Sequence, residues 1–316
     1  MKIISLIKDE MISDNSEAAA VAVDTCCASC GIAEVDDVKL KPCDGCDLAR
    51  YCSDACQRDH RLQHEAKCKE RAAELRDEIL FRQPESSHLG DCPICCEPLS
   101  LDYKQSIMQT CCSKYICKGC SHANKLRQWE ENMEPMCPFC RHPVPKSEEE
   151  PKKNLMKRAK ADDPFAMSQM GGEHVLERDY ESALKYLTKA AELGNADAHY
   201  QLSLLYMKGI GVEKDEKKEI YHLEEASIRG HPRARYNLGV NEVMNGRIER
   251  ALKHFTIAVN LGHDGSLKAL QDYYKDGILS KDCFAAALRG HYAAVKATKS
   301  PQREVAAKYH AAMGSE

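Results

Sequence analysis

The chain has 316 residues, 30% of them charged, with a formal net charge of −4 and a pI of about 6.4. That length allows two or three domains, and the acidic balance argues against a nonspecific nucleic-acid binder. The longest purely apolar run, Ala18 to Val23, has six residues, far short of the ~20 a membrane span needs. The opening MKIISLIKDEM breaks into charge too soon for a signal peptide. The expectation is a cytoplasmic or nuclear protein.

Residues 1–25 are polar or small and read as a disordered tail. Cysteine then dominates: 17 of 18 fall between Cys26 and Cys140. Without an export signal, a reducing compartment favours metal ligation over disulfides. Five C-x-x-C pairs support this: Cys27/Cys30, Cys43/Cys46, Cys92/Cys95, Cys117/Cys120 and Cys137/Cys140.

The first block, 27–68, offers Cys27, Cys30, Cys43, Cys46, Cys52, Cys56, His64 and Cys68 as ligands. Cys52 just precedes a helix start at Ser53-Asp54. His64 and Cys68, four apart, share one helical face. With few large apolar side chains, the block needs metal to fold. His60 reads as a packed neighbour and Cys26 as a spare thiol.

The pattern C-x2-C, C-x2-C, YC-x3-CQ and H-x3-C resembles the MYND finger. The resemblance implies that Cys27, Cys30, Cys52 and Cys56 hold one Zn²⁺, and Cys43, Cys46, His64 and Cys68 a second. It also implies binding of short proline-containing peptides through Gln57, although Arg61 stands where the family has Trp.

A helical connector is expected over 69–90, closed by the breaker residues of QPESSHLG. The second block, 91–142, carries CPICCEPL, TCCSKYICKGC and CPFCR, and resembles a RING finger. The resemblance implies that Cys92, Cys95, Cys117 and Cys120 share one Zn²⁺. Cys137 and Cys140 need two further donors. Cys111 and Cys112 fit an all-cysteine RING subclass, with four residues between Cys112 and Cys117, so Lys114 replaces no histidine. Adjacent residues reach one ion only through a tight bend, and His122 is the reserve donor. Cys96 reads as a spare thiol. In the family, a ubiquitin-conjugating enzyme docks on residues matching Ile94, Trp129 and Pro138, and a basic residue matching Arg141 clamps ubiquitin. Trp129 has a competing role, packing against the zinc core.

Residues 143–162 read as a charged linker. Its basic run, Lys152 to Lys160, suits a solvated helix or a nuclear localisation signal. From 163 to 290 the chain repeats: Ala166, Ala198, Ala234 and Ser266 align at steps of 32, 36 and 32 residues. Units close at Gly194, Gly230 and Gly262, each with a small residue four places earlier (Ala190, Ala226, Ala258). Such a period signals paired helices stacked in a solenoid, with an ordinary helical bundle as the alternative. YMKGIGVEKD and this spacing resemble the Sel-1-like repeat, a relative of the tetratricopeptide repeat, which implies a protein-binding scaffold. The unit ending at Gly290 is degenerate and cap-like, and 291–316 is expected to be a helical tail.

The expected fold is multidomain: two small zinc-stabilised α+β fingers followed by an all-α helical-repeat solenoid, with four Zn²⁺. The expected function is an adaptor holding protein clients. A ubiquitin-conjugating enzyme joins it if the RING works as a ligase, and the alternative is a non-enzymatic scaffold. Neither nucleic acid nor membrane is an expected partner.

Overall fold

The computed structural model describes residues 26–147 and 149–313, so the tail expected over 1–25 lies outside the described residues. Two compact units divide the chain between Glu78 and Ile79.

In the first unit, β1 (Lys41–Pro42) and β2 (Arg50–Tyr51) pair antiparallel, Lys41 opposite Tyr51 and Pro42 opposite Arg50. Leu40, Ala49 and Tyr51 form a core among the cysteines. That core is too small to offset chain entropy by burial. α1 (Asp54–Leu80) follows. The separate finger helix and connector helix expected from the sequence are one continuous helix. No proline or glycine interrupts it, and ion pairs such as Glu65–Lys69 at 2.5 Å and Arg71–Glu74 at 2.9 Å support its solvated surface.

The second unit begins with the last residues of α1. β3 (Ser106–Gln109) and β4 (Lys114–Cys117) form an antiparallel hairpin, with Ile107 opposite Ile116. α2 (Lys118–Glu130) follows directly. Leu99, Ile116 and the cysteines make this block's core.

The expected charged linker contains α3 (Glu149–Ala159). Leu155 and Ala159, four apart on one face, are buried against Met167, Met170 and Leu187. Three basic residues of the run pair with acids: Lys152 with Glu177 at 3.0 Å, Lys153 with Glu149 at 3.0 Å, and Arg158 with Asp163. Half the segment is thus an entry helix to the repeats.

The repeats are helix pairs: α4 (Pro164–Leu176) with α5 (Tyr180–Glu192), α6 (Ala196–Lys208) with α7 (Glu216–Ile228), α8 (Pro232–Met244) with α9 (Ile248–Asn260), and α10 (Asp264–Lys275) with α11 (Lys281–Ala297). Ala166, Ala198, Ala234 and Ser266 are all fully buried, as are Ala190, Ala226 and Ala258. The sequence period is therefore a packing period: small side chains stand wherever helices approach closely. Gly194, Gly230 and Gly262 have φ of +84°, +77° and +87°, so each ends a helix in the left-handed conformation. The next residue caps the following helix: Asn195, His231 and His263 accept from the backbone N–H of Ala198, Ala234 and Ser266. Gly290 differs. It lies inside α11, where a Cβ would meet Asn260 Oδ1 at 2.1 Å, so it permits a close helix approach instead of ending a unit.

In the loop between α6 and α7, Gly211 has φ +71°, and a Cβ there would sit 2.4 Å from Tyr180 Cβ. Left-handed strain and the clash together set the cost of Gly211→Ala at about 2–4 kcal/mol. Urea unfolding of the helices measures it; a loss below ~0.5 kcal/mol, the range of ordinary surface changes, would refute the packing argument.

Arg235, in α8, is fully buried. Its guanidinium donates to the carbonyl of Leu80, at the end of α1, and to that of Ser227, at the end of α7, at 2.9 Å. Two negative helix ends thus face one cation in place of a carboxylate. Burial lowers its pKa to about 10, which still leaves it charged at neutral pH. The sequence reading missed this residue. α12 (Pro301–Met313), expected as a tail, packs against α2.

Candidate metal centres

Four C-x-x-C turns share one backbone device. The residue just after each pair is left-handed: Gly31 at +75°, Asp47 at +57°, Cys96 at +55° and Arg141 at +59°. In three of these turns, the first cysteine's N–H bonds the carbonyl five residues on: Cys27 to Ile32 at 2.7 Å, Cys92 to Glu97 at 2.9 Å, and Cys137 to His142 at 2.7 Å. This winding points both sulfurs the same way. Cys96, exposed, is a turn residue.

In the first finger, the Cys27 turn is tied to β2 by Ala28 N–H to Arg50 O at 2.9 Å. It gathers Cys27, Cys30, Cys52 and Cys56 into one cluster, and Cys43, Cys46, His64 and Cys68 into another. Neighbouring Sγ atoms lie 3.5 Å apart for Cys30–Cys52, 3.6 Å for Cys52–Cys56 and 3.7 Å for Cys43–Cys68. His64 Nε2 is 3.1 Å from Cys46 Sγ. His60 bonds Tyr51 Oη through Nδ1 at 3.1 Å and stacks on His64. It braces a ligand and stands outside the cluster. Gln57 is half-buried and Arg61 exposed.

In the second block, Cys92, Cys95, Cys117 and Cys120 form one cluster and Cys111, Cys112, Cys137 and Cys140 another. The β3–β4 turn answers the adjacency problem. The N–H groups of Cys112 and Ser113 both bond Gln109 O, at 3.2 and 2.8 Å, and Ser113 is left-handed at φ +54°. That bend brings both neighbours to Cys137 and Cys140: Cys112–Cys137 is 3.9 Å and Cys111–Cys140 is 3.4 Å. His122 lies elsewhere, its ring 4.6 Å from Tyr309.

These separations suit zinc. Four sulfurs ~2.3 Å from one Zn²⁺ are about 3.8 Å apart, whereas a disulfide needs ~2.05 Å. The electrostatics agree. Burial works to raise the Cys27 thiol, but backbone donors at Cys30, Cys52 and Ser29 bring it down to about 6. Cys52, sharing hydrogen bonds with Cys30 and Cys56, is pushed up to about 12. Cys92 falls to about 7, where backbone N–H groups of Cys117, Cys95 and Ile94 outweigh burial. Burial and neighbouring thiols drive Cys111 and Cys120 upward. Four thiols packed this closely ionise together only around a cation.

The docking residues proposed from sequence lie on the same block. Ile94 is 42% exposed and Trp129 80%, so Trp129 does not pack against the metal core. Pro138 is half-buried and Arg141 exposed. Leu126 and Phe139 are exposed as well.

His88, Asp197 and His231 form a cluster the sequence reading missed. They line a cavity of about 620 Å³ together with Tyr115, Tyr200 and His263. A metal is disfavoured there. His231 Nδ1 accepts the Ala234 N–H at 3.1 Å, so Nε2 carries the proton and faces Asp197 Oδ1 at 3.7 Å. Asp197 also accepts from Gln201 at 2.7 Å and Ser168 at 3.1 Å. Burial holds His88 neutral, its pKa down to about 3. The trio packs the connector against the repeats: the His88 ring lies 4.1 Å from that of His231, and the His88 backbone N–H bonds Gly230 O at 3.0 Å. The available signal was positional: His231 directly follows a unit-closing glycine.

The MYND finger family profile matches residues 27–68, and the Sel1 repeat profile matches 165–195, 196–231 and 232–263. Residues 27–68 are a MYND finger, and three Sel1 repeats follow. These matches leave 69–164 uncovered. Among solved structures, a Sel1 repeat protein from Oxalobacter formigenes is similar at 26% identity with a TM-score of 0.43, over 56% of this chain and 71% of that one. A protective antigen of uropathogenic Escherichia coli with an SLR fold is similar at 21% identity with a TM-score of 0.38, over 52% and 37%. No curated protein matches the chain. Among the described residues, no helix is long and apolar enough to cross a membrane.

Proposed function

We propose that this zinc-finger and repeat adaptor works as a ubiquitin ligase. In this reading four Zn²⁺ occupy the four clusters, and the second block is a RING-type finger of the all-cysteine kind. The Sel1 repeats and the MYND finger hold the client. The finger has no chemistry of its own; it docks a conjugating enzyme and orders its thioester-linked ubiquitin.

The observation that carries the reading is the split of apolar side chains in a block of about fifty residues. Leu99 and Ile116 are buried, while Ile94, Leu126, Trp129 and Phe139 stay exposed. These exposed apolar side chains on one small block support a docking surface there. A non-enzymatic scaffold is the second reading, favoured by the family matches falling on the binding modules alone.

Ubiquitin discharge over a broad panel of conjugating enzymes separates the two. Ile94→Ala is expected to weaken docking roughly thirtyfold, a loss of about 2 kcal/mol. Arg141→Asn suits the left-handed position better than alanine and is expected to slow discharge without weakening docking. Wild type indistinguishable from the no-protein control would leave the scaffold.

A further inference from the structure

We propose that Arg303 is an outer-sphere residue of the Cys92/Cys95/Cys117/Cys120 centre, delivered to it by the last helix of the chain. The inference rests on reading that cluster as a zinc site. α12 lies along α2, with Gln302 Nε2 donating to Gly119 O at 3.4 Å and Tyr309 against the His122 ring. Near the start of α12, Arg303 turns its guanidinium into the first turn of the block. One terminal nitrogen donates to Cys95 Sγ at 3.3 Å and to Glu97 O at 3.0 Å. The other donates to Pro98 O at 2.6 Å and Thr298 O at 2.9 Å. Nε lies 3.4 Å from Glu97 Oε2, and the side chain is only 11% exposed.

The chemistry follows from charge. Four thiolates around Zn²⁺ leave two negative charges in a buried block. Arg303 returns one positive charge, and its N–H bond to Cys95 draws electron density from a ligand sulfur, making it less open to protons and electrophiles. The same planar fork holds the carbonyls that shape the Cys92–Cys95 turn, a geometry lysine cannot reproduce. The approach is also built from the finger side. A Cβ on Gly119 would stand 2.9 Å from Arg303 Cγ and 3.0 Å from its Cα and N, so only glycine admits α12. The last helix, whose Gln302 meets Gly119 from 183 residues away in the chain, is therefore part of the second finger.

The full-length chain loaded with ¹¹³Cd gives a site-resolved test. Wild type should show four resonances. Arg303→Met should shift one all-sulfur resonance and leave the other three, and a chelator should draw that ion out at least tenfold faster, the lower end of outer-shell effects on metal affinity. Arg303→Lys should restore the rate only in part. Gly119→Val, which displaces α12 but keeps the charge, should move the same resonance. If Arg303→Met loses the finger's fold, Arg303→Gln, which keeps a donor without charge, must show the same shift. Variant spectra and release rates equal to wild type overturn the role of Arg303 while leaving the zinc reading intact. A wild-type chain with only the first finger's resonances overturns both.

Discussion

Removing metal from the full chain is expected to unfold residues 27–68 and 92–140 while the repeat helices stay folded. The two finger cores hold few apolar side chains besides the cysteines themselves. The repeats have their own cores, built from Met167, Leu187 and Leu202, from Leu223 and Leu238, and from Phe255 and Leu270. Structural zinc contributes about 10–16 kcal/mol of apparent binding energy in finger peptides, more than a block this size gains by burial. Elemental analysis of the replete chain should give about four equivalents, one per tetrahedral set. Hydrogen exchange after chelation should then show both finger blocks exchanging freely, with α4 to α9 still protected. Protection lost together in α4 to α9 would mean that the repeats depend on metal, and two equivalents would remove one finger from the scheme.

Replacing Arg235 is the second large effect expected. Arg235→Met keeps the bulk but strips donors from two buried helix ends. Hydrogen bonds to a charged group are worth about 1.5–3 kcal/mol each, and a buried carbonyl left without a partner adds its desolvation cost. A loss of about 3–5 kcal/mol is expected in urea unfolding of the repeats, with faster exchange at residues 79–90. Arg235→Lys, with one compact ammonium for two carbonyls, should recover less than half of it. A Met variant within ~0.5 kcal/mol of wild type, the scale of surface substitutions, would show that the two helix ends need no cation.

Both effects hinge on residues of very different visibility. The four cysteine-rich clusters were legible because C-x-x-C and H-x3-C encode their geometry within a turn of chain. The same holds for the repeat period: Ala166, Ala198 and Ala234 announce close helix packing by size and spacing alone, and the burial of all three follows. Arg235 carried no such mark. In the sequence it is one more arginine at the start of a helix, and only folding brings Leu80 O to it from 155 residues away.

Between these extremes lie features that sequence left open and tertiary contacts decided. Cys111 and Cys112 or His122 could have joined Cys137 and Cys140 by sequence; the Gln109–Ser113 bend brings the four cysteines together, and the His122 ring meets Tyr309 of α12. Trp129 stood between core and surface until its exposure placed it on the surface. The acidic and basic run at 149–159 read as linker because charge outweighs two apolar residues in composition. Leu155 and Ala159 nevertheless fall on one helical face, and a neighbouring core was there to take it. Gly290 matched the closing glycines of the other units but serves a contact with Asn260 inside a helix. Ligand spacing and repeat period are set by bonds and turns local to the chain, so the sequence states them outright. The partners of Arg235, Arg303, His88 and His231 are chosen by packing between segments far apart in the chain, and their identities exist only once those segments meet.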